Sequence, residues 1–177
     1  MSIPNSKQQK LLSQVILCGF IENVAKKREI YDNVGNEKEQ VIKKRMIYES
    51  NENHEECQIS KQSIVDSSEL ICYKEIIKDK RANLVCNTVI QPEWLFNLGG
   101  ELVSYDYEKF VKEPFYFEDK IYCLLDIKFG YKNWNIPGVR VEIKKSEDYY
   151  YRWFARFLLE GKIFPKFKVY FYFILGI

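Results

Sequence analysis

Acid–base catalysis near neutral pH needs a side chain that titrates there, and the chain has a single histidine, His54, in a polar run with Glu52, Glu55 and Glu56. A nucleophile–histidine–carboxylate triad therefore has little to be built from, and His54 lacks partners at the helical or hairpin spacing of a metal site. The closest approach to a phosphate-binding loop is Gly161-Lys162. It is followed by Ile163 where a hydroxyl residue belongs and has Arg156 at the place of the first glycine, so no ATP site is visible. The paired carboxylates Glu55-Glu56 and Glu147-Asp148 fit a solvated loop and a helix N-terminus. Cys18, Cys57, Cys72, Cys86 and Cys123 are odd in number and form no C-x-x-C pair, which points to reduced intracellular thiols rather than disulfides or zinc. No catalytic residue and no metal ligand is assigned.

Binding chemistry remains. Net charge is +2 with a pI near 8.1, so any contact with a polyanion must come from local patches. These are Lys26-Lys27-Arg28, Lys43-Lys44-Arg45, Lys78 with Lys80-Arg81, and Lys144-Lys145. The aromatic fraction, 16%, is high, and such rings serve as core anchors or as platforms on which bases stack.

The elements that position these residues can be read from periodicity. Leu11, Leu12, Val15, Ile16, Phe20, Ile21 and Val24 recur at helical spacing, which predicts a helix from Ser6 to about Lys27, with Gly19 marking a close approach to another element. Asp32 to Gln40 reads as a loop. Short β-prone runs follow near Val41–Tyr48, Gln58–Val65, Leu70–Ile77 and Leu84–Ile90, with a weaker one near Leu102–Tyr107, and Asn51 to Glu56 reads as an exposed loop. Five short strands with one buried helix or loop between them suit a small closed barrel. After Pro114, strands are predicted at 121–129 and 139–144; in the second, Val139, Val141 and Ile143 alternate with Arg140, Glu142 and Lys144. Ser146 caps a helix over 147–161 whose Tyr150, Phe154, Phe157 and Leu158 line one face and which Gly161 ends. The apolar run Val169 to Ile177 spans nine residues, short of the ~20 a membrane helix needs. No signal peptide opens the chain at Met1 to Lys10, which is polar.

Four stretches carry a resemblance. Leu17-Cys-Gly-Phe-Ile-Glu-Asn-Val-Ala-Lys26, Glu69-Leu-Ile-Cys-Tyr-Lys-Glu-Ile-Ile77 and Cys86-Asn-Thr-Val-Ile-Gln-Pro-Glu-Trp-Leu95 resemble, in order and spacing, the C-terminal region of DEAH-box RNA helicases. There a helix leads from the helical ratchet region into an OB-fold. Tyr149-Tyr-Tyr-Arg-Trp-Phe-Ala-Arg-Phe-Leu-Leu-Glu-Gly-Lys-Ile-Phe164, preceded by Trp134 and Pro137, resembles the extra C-terminal domain of the nucleolar subgroup that acts in small-subunit ribosome biogenesis. The likeness covers about residues 11 to 166. Two family motifs depart here: Ile59-Ser-Lys-Gln-Ser63 lacks the usual His and Pro, and Lys78-Asp79-Lys80 replaces a Thr-Thr-Lys.

The resemblance implies an α+β, mainly β chain: a helix over 1–36, a five-stranded OB-fold over 37–112, and a small α/β extension over 113–177. It implies an accessory module that contacts RNA through Lys61, Lys74, Lys78, Lys80 and Arg81 and docks other domains or an activating assembly factor through Arg152, Trp153 and Arg156. The parent enzyme would be an ATP-dependent RNA helicase, an NTP hydrolase acting on pre-ribosomal or small nucleolar RNA in the nucleolus, with ATP and magnesium held by motor domains outside this chain and no membrane partner. Two other classes fit the same residues: a freestanding single-strand binder, and a protein-interaction adaptor.

Overall fold

The computed structural model describes residues 3–34, 41–52, 54–65 and 68–166. The chain divides into two compact units, the first formed by 1–103 with 129–134, the second by 104–128 with 135–177.

In the first unit, helix α1 (Ser6–Gly19) starts on a capping box: the Asn5 carboxamide oxygen accepts from the Gln8 amide, and the Gln8 side chain accepts from the Asn5 amide, both at 2.9 Å. It ends at Gly19, earlier than the apolar spacing suggests. Nothing lies within 4 Å of where a Gly19 side chain would begin, so this glycine serves the helix end and no close contact. The segment from Val24 onward is a strand, β1 (Val24–Val34), because Val24 and Ala25 are both fully buried and the segment pairs on both sides. It runs through Asp32–Val34, the start of the expected loop; the remainder, residues 35–40, lies outside the described residues.

Next come β2 (Val41–Ser50), β3 (Glu56–Ile59), β4 (Leu70–Cys72), β5 (Glu75–Lys78), β6 (Ala82–Val85) and β7 (Thr88–Val89). They form a sheet in the order β5-β6-β3-β2-β1-β4-β7, with β3 and β6 parallel and the other pairs antiparallel. The sheet closes on itself because β4 and β5, near its opposite ends, are halves of one segment separated only by Tyr73 and Lys74. The Tyr73 amide donates to the Asn23 carbonyl at 3.0 Å on the β1 side, and the next amide, Lys74, donates to the Val85 carbonyl at 3.1 Å on the β6 side. Asn23 Nδ2 also donates to the Lys74 carbonyl at 3.0 Å. Strands that switch partners at a bend are how closed sheets turn corners. The predicted Leu70–Ile77 strand is this bent segment, and Leu84–Ile90 is divided at Cys86, whose φ of 54° breaks the ladder.

Inside the barrel, Ala25, Tyr48, Cys57, Ile71, Tyr73, Ala82 and Leu84 form one cluster edged by Ile59, Val65 and Ile76. Beside it, α1 packs against β7 and against α2 (Pro92–Leu98), which buries Trp94 and Leu95 and begins with proline where a helix tolerates it. A short 3-10 turn, Gly100–Leu102, follows.

The second unit is built on β8 (Val103–Phe117), β9 (Lys120–Phe129) and β10 (Trp134–Glu142), in the order β10-β9-β8, with α3 (Asp148–Leu159). The weak strand expected near Leu102–Tyr107 is the start of β8 and not a barrel strand; the fifth barrel strand is β1, whose lysines and aspartate mask its pattern. Along β9 the residues alternate strictly, burying Ile121, Cys123, Leu125 and Ile127. The β8–β9 turn is Glu118-Asp119, both left-handed, the turn type that matches hairpin twist. Helix α3 has Glu147 rather than Ser146 at its N-cap, with no side-chain cap bond; it packs Phe157 on Tyr116 and Trp153 on Phe110. The apolar run Val169 to Ile177 lies outside the described residues.

Gly130 shows how the β9–β10 turn is held in the first unit. Its φ is 77°, and a Cβ there would sit 1.8 Å from Asn51 Oδ1. Gly130→Ala should therefore cost on the order of 3 kcal/mol through combined strain and overpacking. Gly138→Ala, at φ 63° but with nothing within 4 Å, should cost only about 1 kcal/mol. Thermal melting distinguishes the two.

Burial pushes the thiols of Cys57 and Cys72 up to about 11 and that of Cys123 up to about 12. In native protein a thiol reagent should modify exposed Cys18 and Cys86 and reach the other three only after unfolding. The raised folded values mean that the unfolded chain releases these protons first. The thiols' contribution to stability should be constant below pH 9 and be lost between about 9 and 12, measurable as urea midpoints against pH across that range.

Candidate nucleic-acid interface

The five predicted RNA-contacting residues do not form one patch. β5 and β6 pair antiparallel with Lys78 opposite Ala82, so Lys78, Lys80 and Arg81 share the tip of one hairpin. Lys74 precedes the other end of β5, and Lys61 follows β3, whose end lies beside Leu84. The two groups are separated by the length of a four-residue strand, about 10 Å. All five side chains are exposed. Lys78 pairs with Glu55 at 2.9 Å, which raises its pKa, and Lys74 lies 3.8 Å from Glu75.

The larger basic feature is the β1–β2 hairpin. Ten residue pairs join β1 to β2, from Ala25↔Ser50 to Val34↔Val41, whereas among the described residues β4 pairs with Val24–Lys26 and β3 with Tyr48 and Glu49. Seven of the ten pairs thus extend beyond the neighbouring strands as a two-stranded arm. Residues opposite one another share a face. Lys27, Glu29 and Tyr31 lie with Tyr48, Met46 and Lys44 on one side; Lys26, Arg28 and Ile30 lie with Glu49, Ile47 and Arg45 on the other. The register thereby brings together two basic clusters that are more than a dozen residues apart in sequence.

The carboxylates along the arm fix these cations in place. Lys44 reaches Glu29 at 2.7 Å, and the Tyr31 hydroxyl donates to Glu29 at 3.1 Å; together they hold the Glu29 carboxyl below its usual range, and the hydrogen bond to Glu29 raises Lys44. Glu49 is buried and takes a hydrogen bond from Arg28 Nη1, while His54 Nδ1 stands 3.5 Å from its other oxygen. His54 lies beside the root of the arm, and its ring meets Trp134 edge-on at 6.4 Å. Arg45 lies 3.8 Å from Glu56. Tyr31 is 61% exposed and Met46 40%, so flat and apolar surface alternates with cation, the composition of a single-strand binding groove.

The three residues predicted to dock a partner have different surroundings. Trp153 packs within its own unit, on Phe110 and on Phe157 at 5.8 Å. Arg156 lies over Trp153 and pairs with Glu160 at 2.8 Å and Glu113 at 3.4 Å. Arg152 is exposed, over Tyr149. Among the described residues no three His, Cys, Asp or Glu side chains group to hold a metal.

A barrel with this topology and a cation-lined hairpin defines a class, and a family model agrees: the oligonucleotide/oligosaccharide-binding (OB)-fold matches residues 12–102, just over half of the sequence. The chain belongs to the OB-fold family, as the sequence predicts, and the match ends one residue before the boundary of the first unit's main segment. Beyond the barrel, 94% of the chain is 27% identical to a Caenorhabditis elegans protein named as an ATP-dependent RNA helicase, rha-2. A second relative, the ATP-dependent RNA helicase DEAH13 of Arabidopsis thaliana, is 29% identical over 82 residues, 45% of the chain. The chain spans 14% and 7% of the lengths of these relatives.

Glu49→Ala would remove the buried carboxylate to which Arg28 donates and should cost about 1–3 kcal/mol. Glu29→Ala removes an exposed carboxylate and should leave the melting temperature unchanged.

Proposed function

We propose that this chain is the accessory RNA-contacting module of an ATP-dependent RNA helicase. The observation that carries the reading is the first alignment: one helicase matches 94% of the chain, barrel and second unit together, over 14% of its own length. The fold supports it, since closed barrels of this kind bind nucleic acid with basic loops and exposed rings, and the β1–β2 arm offers both. ATP and magnesium would belong to motor domains elsewhere in such an enzyme.

The finer reading extends this. The module would serve remodelling of pre-ribosomal or small nucleolar RNA in small-subunit biogenesis, in the nucleolus, with an activating assembly factor as partner. Exposed Arg152 is the residue of the predicted docking set best placed to meet such a factor, because Trp153 is engaged in its own unit and Arg156 is paired.

Fluorescence anisotropy with labelled single-stranded RNA tests the central claim. The chain should bind weakly, and the logarithm of affinity should fall linearly with the logarithm of salt concentration. Replacing Lys44 and Arg45 together by Ala should weaken binding for all sequences and flatten that salt slope by up to about 2. Affinity that persists at high salt would favour a freestanding binder. Absence of binding at low salt, with capture of an assembly factor, would favour an adaptor.

A further inference from the structure

Outside the barrel, the three-stranded sheet of the second unit has two unlike faces. One carries Ile121, Cys123, Leu125 and Ile127, all fully or nearly fully buried; α3 packs its rings on β8 through Tyr116 and Phe110. Alternation along the strands sends Phe115, Phe117, Tyr122 and Arg140 to the opposite face. Phe115 and Tyr122 stack at 5.9 Å and 28°. The Arg140 guanidinium lies 4.0 Å from the centre of Tyr122, 5.3 Å from Phe117 and 5.5 Å from Phe115. Phe117 is 47% exposed, and Arg140 is exposed.

Among the described residues no carboxylate pairs with Arg140. The acidic groups nearby have other partners: Glu142 holds Lys120 at 2.7 Å, Asp119 accepts from the Tyr116 hydroxyl at 2.8 Å, and Asp126 accepts from the Gly138 amide at 2.9 Å. An arginine stacked on rings has its N–H fork oriented before any ligand arrives, and that fork matches a phosphate. An exposed ring beside it gives a base somewhere to lie.

We propose that this face is a second contact surface for single-stranded RNA, with a base stacking on Phe117 and the adjoining phosphate received by Arg140. An acidic polypeptide is the other polyanion to weigh. It would gain nothing from the rings that flank Arg140. RNA gains a stacking contact for each base laid on a ring. The surface lies beyond the 12–102 family match, so the barrel's own binding mode does not account for it. The choice of RNA rests on the helicase reading above.

The test uses the full chain, fluorescein-labelled oligouridine, and an iodouridine-substituted version whose photo-adducts are mapped by mass spectrometry. Arg140→Gln and Phe117→Ala should each weaken binding roughly five- to a hundredfold, with unchanged near-ultraviolet circular dichroism. If Phe117→Ala disturbs that spectrum, Arg140→Gln alone decides. Adducts on the Phe115–Tyr122 peptide support the second surface even where the arm variants have no effect. Unchanged affinity in both variants, with adducts confined to residues 24–85, overturns it while leaving the proposed function standing. Displacement of the RNA by polyglutamate at equal charge assigns the face to an acidic polypeptide and overturns it. Absence of binding and adducts throughout overturns both readings.

Discussion

The barrel depends on one change of partner. At Tyr73 and Lys74 successive amides turn to opposite neighbours, one to Asn23 and one to Val85. Without that bend β4 and β5 would continue along a single edge, and the sheet would stay open with two unpaired margins. The bend also sends Tyr73 inward, where it is 1% exposed among Ala25, Tyr48 and Leu84. Closure and core filling are thus consequences of the same two residues, and the clamp from Asn23 Nδ2 to the Lys74 carbonyl secures the corner against β1.

Among the described residues, β4 pairs with β1 at Val24–Lys26 and β3 with β2 at Tyr48 and Glu49, while β1 and β2 pair with each other over ten residues. A ribbon with free edges would ordinarily invite pairing with other chains, and charge is a common defence. Here Lys44, Arg45 and Arg28 supply that charge, each tied to a carboxylate. The same cations suit a phosphate backbone, so protection of the edge and nucleic-acid contact call for the same side chains.

How much of this was legible follows from what each signal depends on. Helix α3 and the alternating strands β9 and β10 were readable because their patterns are local: a first-turn acid, a terminal glycine, strict alternation. The first barrel strand was hidden because Val24 and Ala25 extend the apolar spacing of α1, and Lys26-Lys27-Arg28 then looks like a helix end. Both basic clusters of the arm were visible, but their apposition was not, since register is set by pairing across the turn and not by either cluster alone. The bend within Leu70–Ile77 left no glycine or proline to announce it. Trp153 looked like a docking residue because it lies off the main stripe of α3, yet Phe110 on a distant strand claims it.

The placement of Gly130 has a further consequence. Residues 129–134 are a short loop of the second sheet, yet they belong to the first unit, where the Gly130 amide donates to the Leu102 carbonyl and its missing side chain leaves room for Asn51. A polypeptide cut after Val103 would carry every barrel strand and still lack this piece, exposing the Asn51 carboxamide that the loop shelters.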